Sequence, residues 1–195
     1  LQSQPNFPEA HRMMCFLYGL KGDTKRATEH IHYAKSVDPL NPETRFFEAN
    51  HYYRSGNAPL ALKMIDQLLE ENPQNVPAIM VSCYIHLAEN KLDRAEELIT
   101  GIPDQLINPD EKLGLISLLY FKKGEENIEV FDKLIAQGKD QNAHHAHSYL
   151  FICYANLGAF DKAYKVLEHL FEQQSSVLLL GFSDPMASRI FKEKT

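Results

Sequence analysis

One ten-residue phrase returns along this chain at a fixed interval. YGLKGDTKRA starts at residue 18, YYRSGNAPLA at 52, HLAENKLDRA at 86, YFKKGEENIE at 120 and YANLGAFDKA at 154, each 34 residues after the last. Self-similarity at such a period is the mark of a chain built from stacked supersecondary units. No insertion or deletion breaks the register. The aromatic or imidazole at Tyr18, Tyr52, His86, Tyr120 and Tyr154 is followed four residues later by Gly22, Gly56, Asn90, Gly124 and Gly158.

Each position has a physical job. Glycine, or the tolerated Asn90, suits the left-handed residue that stops a helix. Apolar residues at helical spacing precede each stop, as in Met14, Leu17, Tyr18 and in Ile79, Cys83, His86, Leu87. A second amphipathic run follows, as in Ala61, Met64, Ile65, Leu68, Leu69 and in Ala163, Val166, Leu167, Leu170, Phe171. Pro59 falls in the first turn of such a run, where a missing N–H costs nothing, and Pro39 and Pro73 close the second helix of their units. Ala27, Ala61, Ala95 and Ala163 sit where the two helices of a pair cross closely. The unit reads helix, tight turn, helix, loop. A lone hairpin cannot bury its apolar face, so the units must stack.

This pattern resembles the tetratricopeptide repeat (TPR) family over roughly residues 8–174. It implies an all-α fold: an α-α superhelix, or solenoid, of about five helical hairpins at 8–41, 42–75, 76–109, 110–143 and 144–177, with a C-terminal capping segment at 178–195. The whole of 1–195 is then a single domain. The third unit ends early at Gly101-Ile102-Pro103. The fourth is degenerate, with Glu129 in place of the small alanine and a short second helix ending near Gly138. The family's aromatic at the fourth position is also replaced, by His11, Arg45, Ile79, Leu113 and His147. The tail, SSVLLLGFSDPMASRIFKEKT, has no 34-residue partner. It reads as a cap on the last repeat and is similar to the tails of TPR domains in bacterial transcription regulators and adenylate cyclases.

Function in the family lives on a concave face lined by the first helix of each unit. The resemblance places there Arg12 and Phe16; Phe46, Asn50, Tyr53 and Arg54; Met80, Tyr84 and Leu87; Leu118, Phe121 and Lys122; and His145, Ser148, Ile152 and Asn156. Aromatic and apolar anchors with a few polar handles suit a protein segment. Chaperone-binding members grip a C-terminal carboxylate with Lys, Asn and Arg. The corresponding residues here are Arg12, Phe16, Phe47, Pro77 and Val81, so only Arg12 fits in charge.

Other classes fare worse. A formal net charge of −6 without a basic stripe argues against direct nucleic-acid contact. Apolar runs such as VLLL at 177–180 are far short of the roughly 20 residues of a membrane span. Three cysteines, Cys15, Cys83 and Cys153, with no CxxC pair point to reduced thiols and a cytoplasmic setting. The chain opens at Leu1 without Met or a leader pattern, as a piece of a longer protein or a processed one would. No GxSxG, P-loop, HExxH or GxGxxG motif is present. The adjacent pairs Glu70-Glu71, Glu96-Glu97 and Glu125-Glu126 point to different sides of a helix.

His144 and His147 are three apart, a usable metal-ligand spacing, but no cysteine pair or carboxylate cluster adjoins them, so neither a metal nor another cofactor is expected. The expectation is a non-catalytic scaffold binding a peptide, a protein or other domains of its own chain, as the regulatory part of a larger bacterial signalling or transcription protein. Two alternatives stay open: a homodimerisation module, and a small-ligand or metal sensor built on the fifth-repeat histidines.

Overall fold

In a computed structural model of the chain, residues 7–124, 144–175 and 178 are described. The described residues form nine helices: α1 (Pro8–Leu20), α2 (Thr24–Val37), α3 (Pro42–Arg54), α4 (Ala58–Glu71), α5 (Val76–Ala88), α6 (Leu92–Gly101), α7 (Pro109–Lys123), α8 (His144–Asn156) and α9 (Phe160–Glu172). The fold is all-α and built of consecutive hairpins, as the repeat pattern requires. Two compact units divide within α5, at Leu1–Ile85 and His86–Thr195.

The recurring phrase is the hinge of each hairpin. Gly22, Gly56, Asn90, Gly124 and Gly158 all have positive φ, from 60° to 85°. That left-handed residue lets the chain close a six-residue turn back onto the helix end. The N–H of Asp23 donates to the Tyr18 carbonyl at 2.9 Å, that of Asn57 to Tyr52 at 2.8 Å, that of Lys91 to His86 at 2.8 Å and that of Ala159 to Tyr154 at 2.9 Å. Helix starts are set just as locally. Asp23, Asn41, Asn57 and Asn108 accept backbone N–H groups of the first turn, and Pro8, Pro42, Pro59 and Pro109 occupy first-turn positions that need no N–H partner. Helix α6 stops at Gly101, ahead of Pro103.

In the first unit α1 packs on α2, α3 on α4, and α3 lies against both α1 and α2. Cys15, Ala27 and Ile31 form one buried cluster, flanked by Tyr18 and Phe47. Ala49, Ile65, Leu68 and Ala78 form the next, flanked by Phe46, Met64, Leu69 and Val81. Ala27, Ala61, Ala95 and Ala163 are all buried, so a larger residue at any of them would push a helix pair apart. In the second unit α7 packs on α6 and on α8, and α8 on α9. Its buried residues include Leu115, Leu118, Leu150, Tyr154, Val166 and Leu170. The degenerate second helix of the fourth repeat, with Glu129 and Gly138, and the capping segment beyond 178 lie outside the described residues.

Candidate partner-binding face

In the first unit the expected face draws its residues from α1, α3 and α5. Phe16 of α1 meets Phe47 edge-on at 6.2 Å between centroids, and Phe47 in turn meets Phe46 edge-on at 5.8 Å. The Arg54 guanidinium lies over the Phe16 ring, 5.4 Å from its centroid, which joins the end of α3 to α1 through a cation–π contact. A Cβ added at Gly19 would sit 3.5 Å from Arg54 Cδ, an ordinary contact distance. Asn50 Nδ2 donates to the Phe46 carbonyl at 3.3 Å. Tyr53 and Tyr84 meet edge-on at 6.1 Å and are buried.

Arg12, the one cation matching the chaperone-clamp pattern, is buried and engaged within the chain. Its guanidinium donates to Glu43 Oε2 at 2.7 Å and to Thr44 Oγ1 at 3.3 Å, tying α1 to the start of α3, with Glu9 at 3.5 Å. Phe16, Phe46, Asn50, Arg54 and Met80 are half-buried and carry the accessible part of the expected face. In the second unit Leu87, Leu118, Ser148 and Ile152 are buried, while Phe121 and Lys122 are half-buried. Asn156 is exposed and its Nδ2 donates to the Ile152 carbonyl at 2.7 Å. His145 lies in α8, but its side chain is outside the described residues.

The histidines do something the spacing did not foretell. His11 and His30, nineteen residues apart, bring their Nδ1 atoms within 2.8 Å across the α1–α2 hairpin. Tyr33 stacks on His11 at 4.1 Å and Tyr18 on His30 at 5.4 Å. Burial lowers the pKa of His30, the neighbouring His11 adds to this, and Glu29 opposes it. His51 is lowered for the same first reason, with His32 adding and Glu48 opposing. His147 is buried and stacks on His169 at 4.7 Å. Among the described residues no group of three or more His, Cys, Asp or Glu could hold a metal ion. All three cysteines are buried, and none is joined in a disulfide. Burial first, and the charge of Glu48 second, push the Cys15 thiol up to about 12, and burial raises Cys153 further. No helix among the described residues is long and apolar enough to cross a membrane.

Sequence reading missed the ion pairs that link helices. Lys35–Glu48, Arg45–Glu71 and Lys123–Glu96 each join residues 13 to 27 apart, and no periodicity marks them.

Known proteins resemble this chain in sequence and in fold. Residues 53–110 match the tetratricopeptide repeat. The matched stretch runs from the end of α3 to the start of α7. Cellulose synthase operon protein C of Pseudomonas fluorescens is 34% identical over 83 residues, which is 43% of this chain but only 6% of that protein. A solved structure of PilF from Pseudomonas aeruginosa superposes with a TM-score of 0.56 at 14% identity, covering 95% of this chain and 89% of its own. A mutant of MamA gives a TM-score of 0.49 at 15% identity, over 85% of this chain and 96% of its own. The likeness to PilF carries the tetratricopeptide-type fold beyond the matched stretch.

Proposed function

We propose that the chain is a non-catalytic scaffold that binds a protein segment along the first helices of its hairpins. The observation that carries this reading is the set of half-buried first-helix residues Phe16, Phe46, Asn50, Arg54 and Met80 in the first unit, with the Arg54 guanidinium over the Phe16 ring and the Asn50 amide on the Phe46 carbonyl. Aromatic anchors beside an arginine are the residue types that dominate protein–protein hot spots. The buried residues of the expected groove in the same unit, Arg12, Tyr53 and Tyr84, act in this reading as the rigid support of that face. Phe121 and Lys122 supply a corresponding surface in the second unit. The match to the tetratricopeptide repeat supports a protein partner. The signalling or transcription context gains nothing from the similar proteins, a cellulose synthase operon protein and PilF.

The test places a photocrosslinking residue at Asn50 in one chain and at the exposed Glu29 of α2 in another, both in source cells. A defined protein crosslinked from Asn50, absent from Glu29 and lost when Arg54→Ala/Met80→Ala is added, is the expected result. Equal crosslinking from both sites would rule out the first-helix face.

A further inference from the structure

The structure brings together a histidine pair other than the one that spacing picks out. His11 of α1 and His30 of α2 meet edge to edge, with Nδ1 of one 2.8 Å from Nδ1 of the other. Their ring centroids stand 4.9 Å apart and their planes cross at 46°. Each ring is backed by a tyrosine: Tyr33 stacks on His11 at 4.1 Å and 22°, and Tyr18 on His30 at 5.4 Å and 12°. Such stacking holds the two ring planes and leaves the nitrogen edges facing one another. Both histidines are half-buried, so the pair is held in place yet within reach of solvent. His147 and His169, by contrast, meet face on face at 4.7 Å and 27°, and His147 is buried. An imidazole ligates through the lone pair in its ring plane, so it is the edge contact that brings two ligating atoms together.

The distance selects the ion. With metal–nitrogen bonds of about 2.0 Å, two neighbouring nitrogens stand about 2.8 Å apart in a square-planar or tetragonal field and about 3.3 Å apart in a tetrahedral one. We propose that His11 and His30 form a two-imidazole site for a divalent transition ion of tetragonal preference, copper(II) first and nickel(II) behind it. Divalent affinities along the first-row series peak at copper, and imidazole nitrogen suits both ions. Water fills the remaining positions, since among the described residues no third His, Cys, Asp or Glu completes the set. Uptake needs no parting of α1 from α2. The donor ring moves its Nδ1 proton to Nε2 through solvent, and both rings turn their Nδ1 lone pairs onto the ion. None of the expected partner-face residues takes part.

The experiment titrates the full chain with copper(II) alone, in a buffer that does not ligate it, and follows calorimetry and EPR. The expected result is a strongest site of one ion per chain, with two nitrogen ligands in the EPR hyperfine pattern. His11→Gln and His30→Gln should each weaken that site by about tenfold or more, whereas His144→Gln/His147→Gln should leave it unchanged. In the unsubstituted chain, paramagnetic broadening should reach the ring resonances of His11 and His30 before those of the other histidines, a readout that does not depend on how any variant folds. Unchanged affinity in His11→Gln and His30→Gln, a site abolished by the fifth-repeat substitutions, or broadening that starts at other histidines would overturn the inference.

Discussion

The ammonium of Lys35 in α2 lies 2.7 Å from the carboxylate of Glu48 in α3. The two ends of this pair differ sharply in environment: the lysine side chain is 47% exposed and that of the glutamate 4%. Removing the lysine strands a carboxylate that the fold has already taken out of water. Lys35→Met should therefore destabilise the chain by about 1–2 kcal/mol, with solvent around the lysine keeping the loss below that of a fully buried pair. Glu48→Gln should cost less, because Lys35 can turn to water. Urea unfolding of both variants checks the order, and a larger loss from Glu48→Gln would contradict it.

Gly19 and Gly56 should respond in opposite directions to alanine. Gly56 has φ +85° with nothing within 4 Å of an added Cβ, so the cost there is backbone strain alone. Gly56→Ala should lose about 1–2 kcal/mol. Gly19 is helical, and its added Cβ would meet only Arg54 Cδ, at the ordinary contact distance of 3.5 Å. Gly19→Ala should be neutral or stabilising by about 0.5 kcal/mol. Thermal melts of the two variants read this directly.

The buried thiols should be inert. With its pKa pushed up to about 12 by burial and by Glu48, Cys15 holds a thiolate fraction on the order of 10⁻⁴ at pH 8. Disulfide-exchange labelling at pH 8 should leave Cys15 unmodified in the folded chain and modify it readily in urea. Rapid native labelling of Cys15 would show that its cluster opens far more often than the packing implies.

Mild acid should weaken the fold. His30 and His51 both have folded pKa values below their unfolded ones, so the unfolded chain binds more protons as pH falls through about 6.5. Stability is thus full above that value and is lost as pH drops from there toward the folded pKa values. The His11–His30 bond sharpens the effect, because one Nδ1 must donate and the other accept, which two imidazolium rings cannot do. The groups facing His30 are His11 and Tyr18 from α1, with Glu29, Tyr33 and Arg26 of α2 close by, Arg26 over the Tyr18 ring. Tm should fall between pH 7.5 and 5.5, and His30→Asn should flatten that fall. An identical pH dependence in the variant would remove His30 from the account.

The 34-residue phrase by itself determined where helices start, stop and turn, because these are local matters. A glycine at positive φ, an Asn or Asp accepting first-turn N–H groups and a proline at a helix start act within six residues of themselves. The buried alanines at 27, 61, 95 and 163 were legible for the same reason, since the repeat fixes the level at which two helices cross. The sequence could also say which residues occupy first-helix positions.

Only the tertiary structure decided what those residues do. Arg12 reads as a free cation until Glu43, on the next hairpin, closes on it. Tyr53 and Tyr84, expected in the groove, are both buried and meet edge-on at 6.1 Å, a contact between helices that the sequence alone does not display. Lys35 pairs with Glu48 across two hairpins, and His11 with His30 within one, through side chains that periodicity does not relate. Backbone preferences repeat with the chain, whereas side-chain partners depend on how neighbouring helices are juxtaposed, and that is settled only when the hairpins pack.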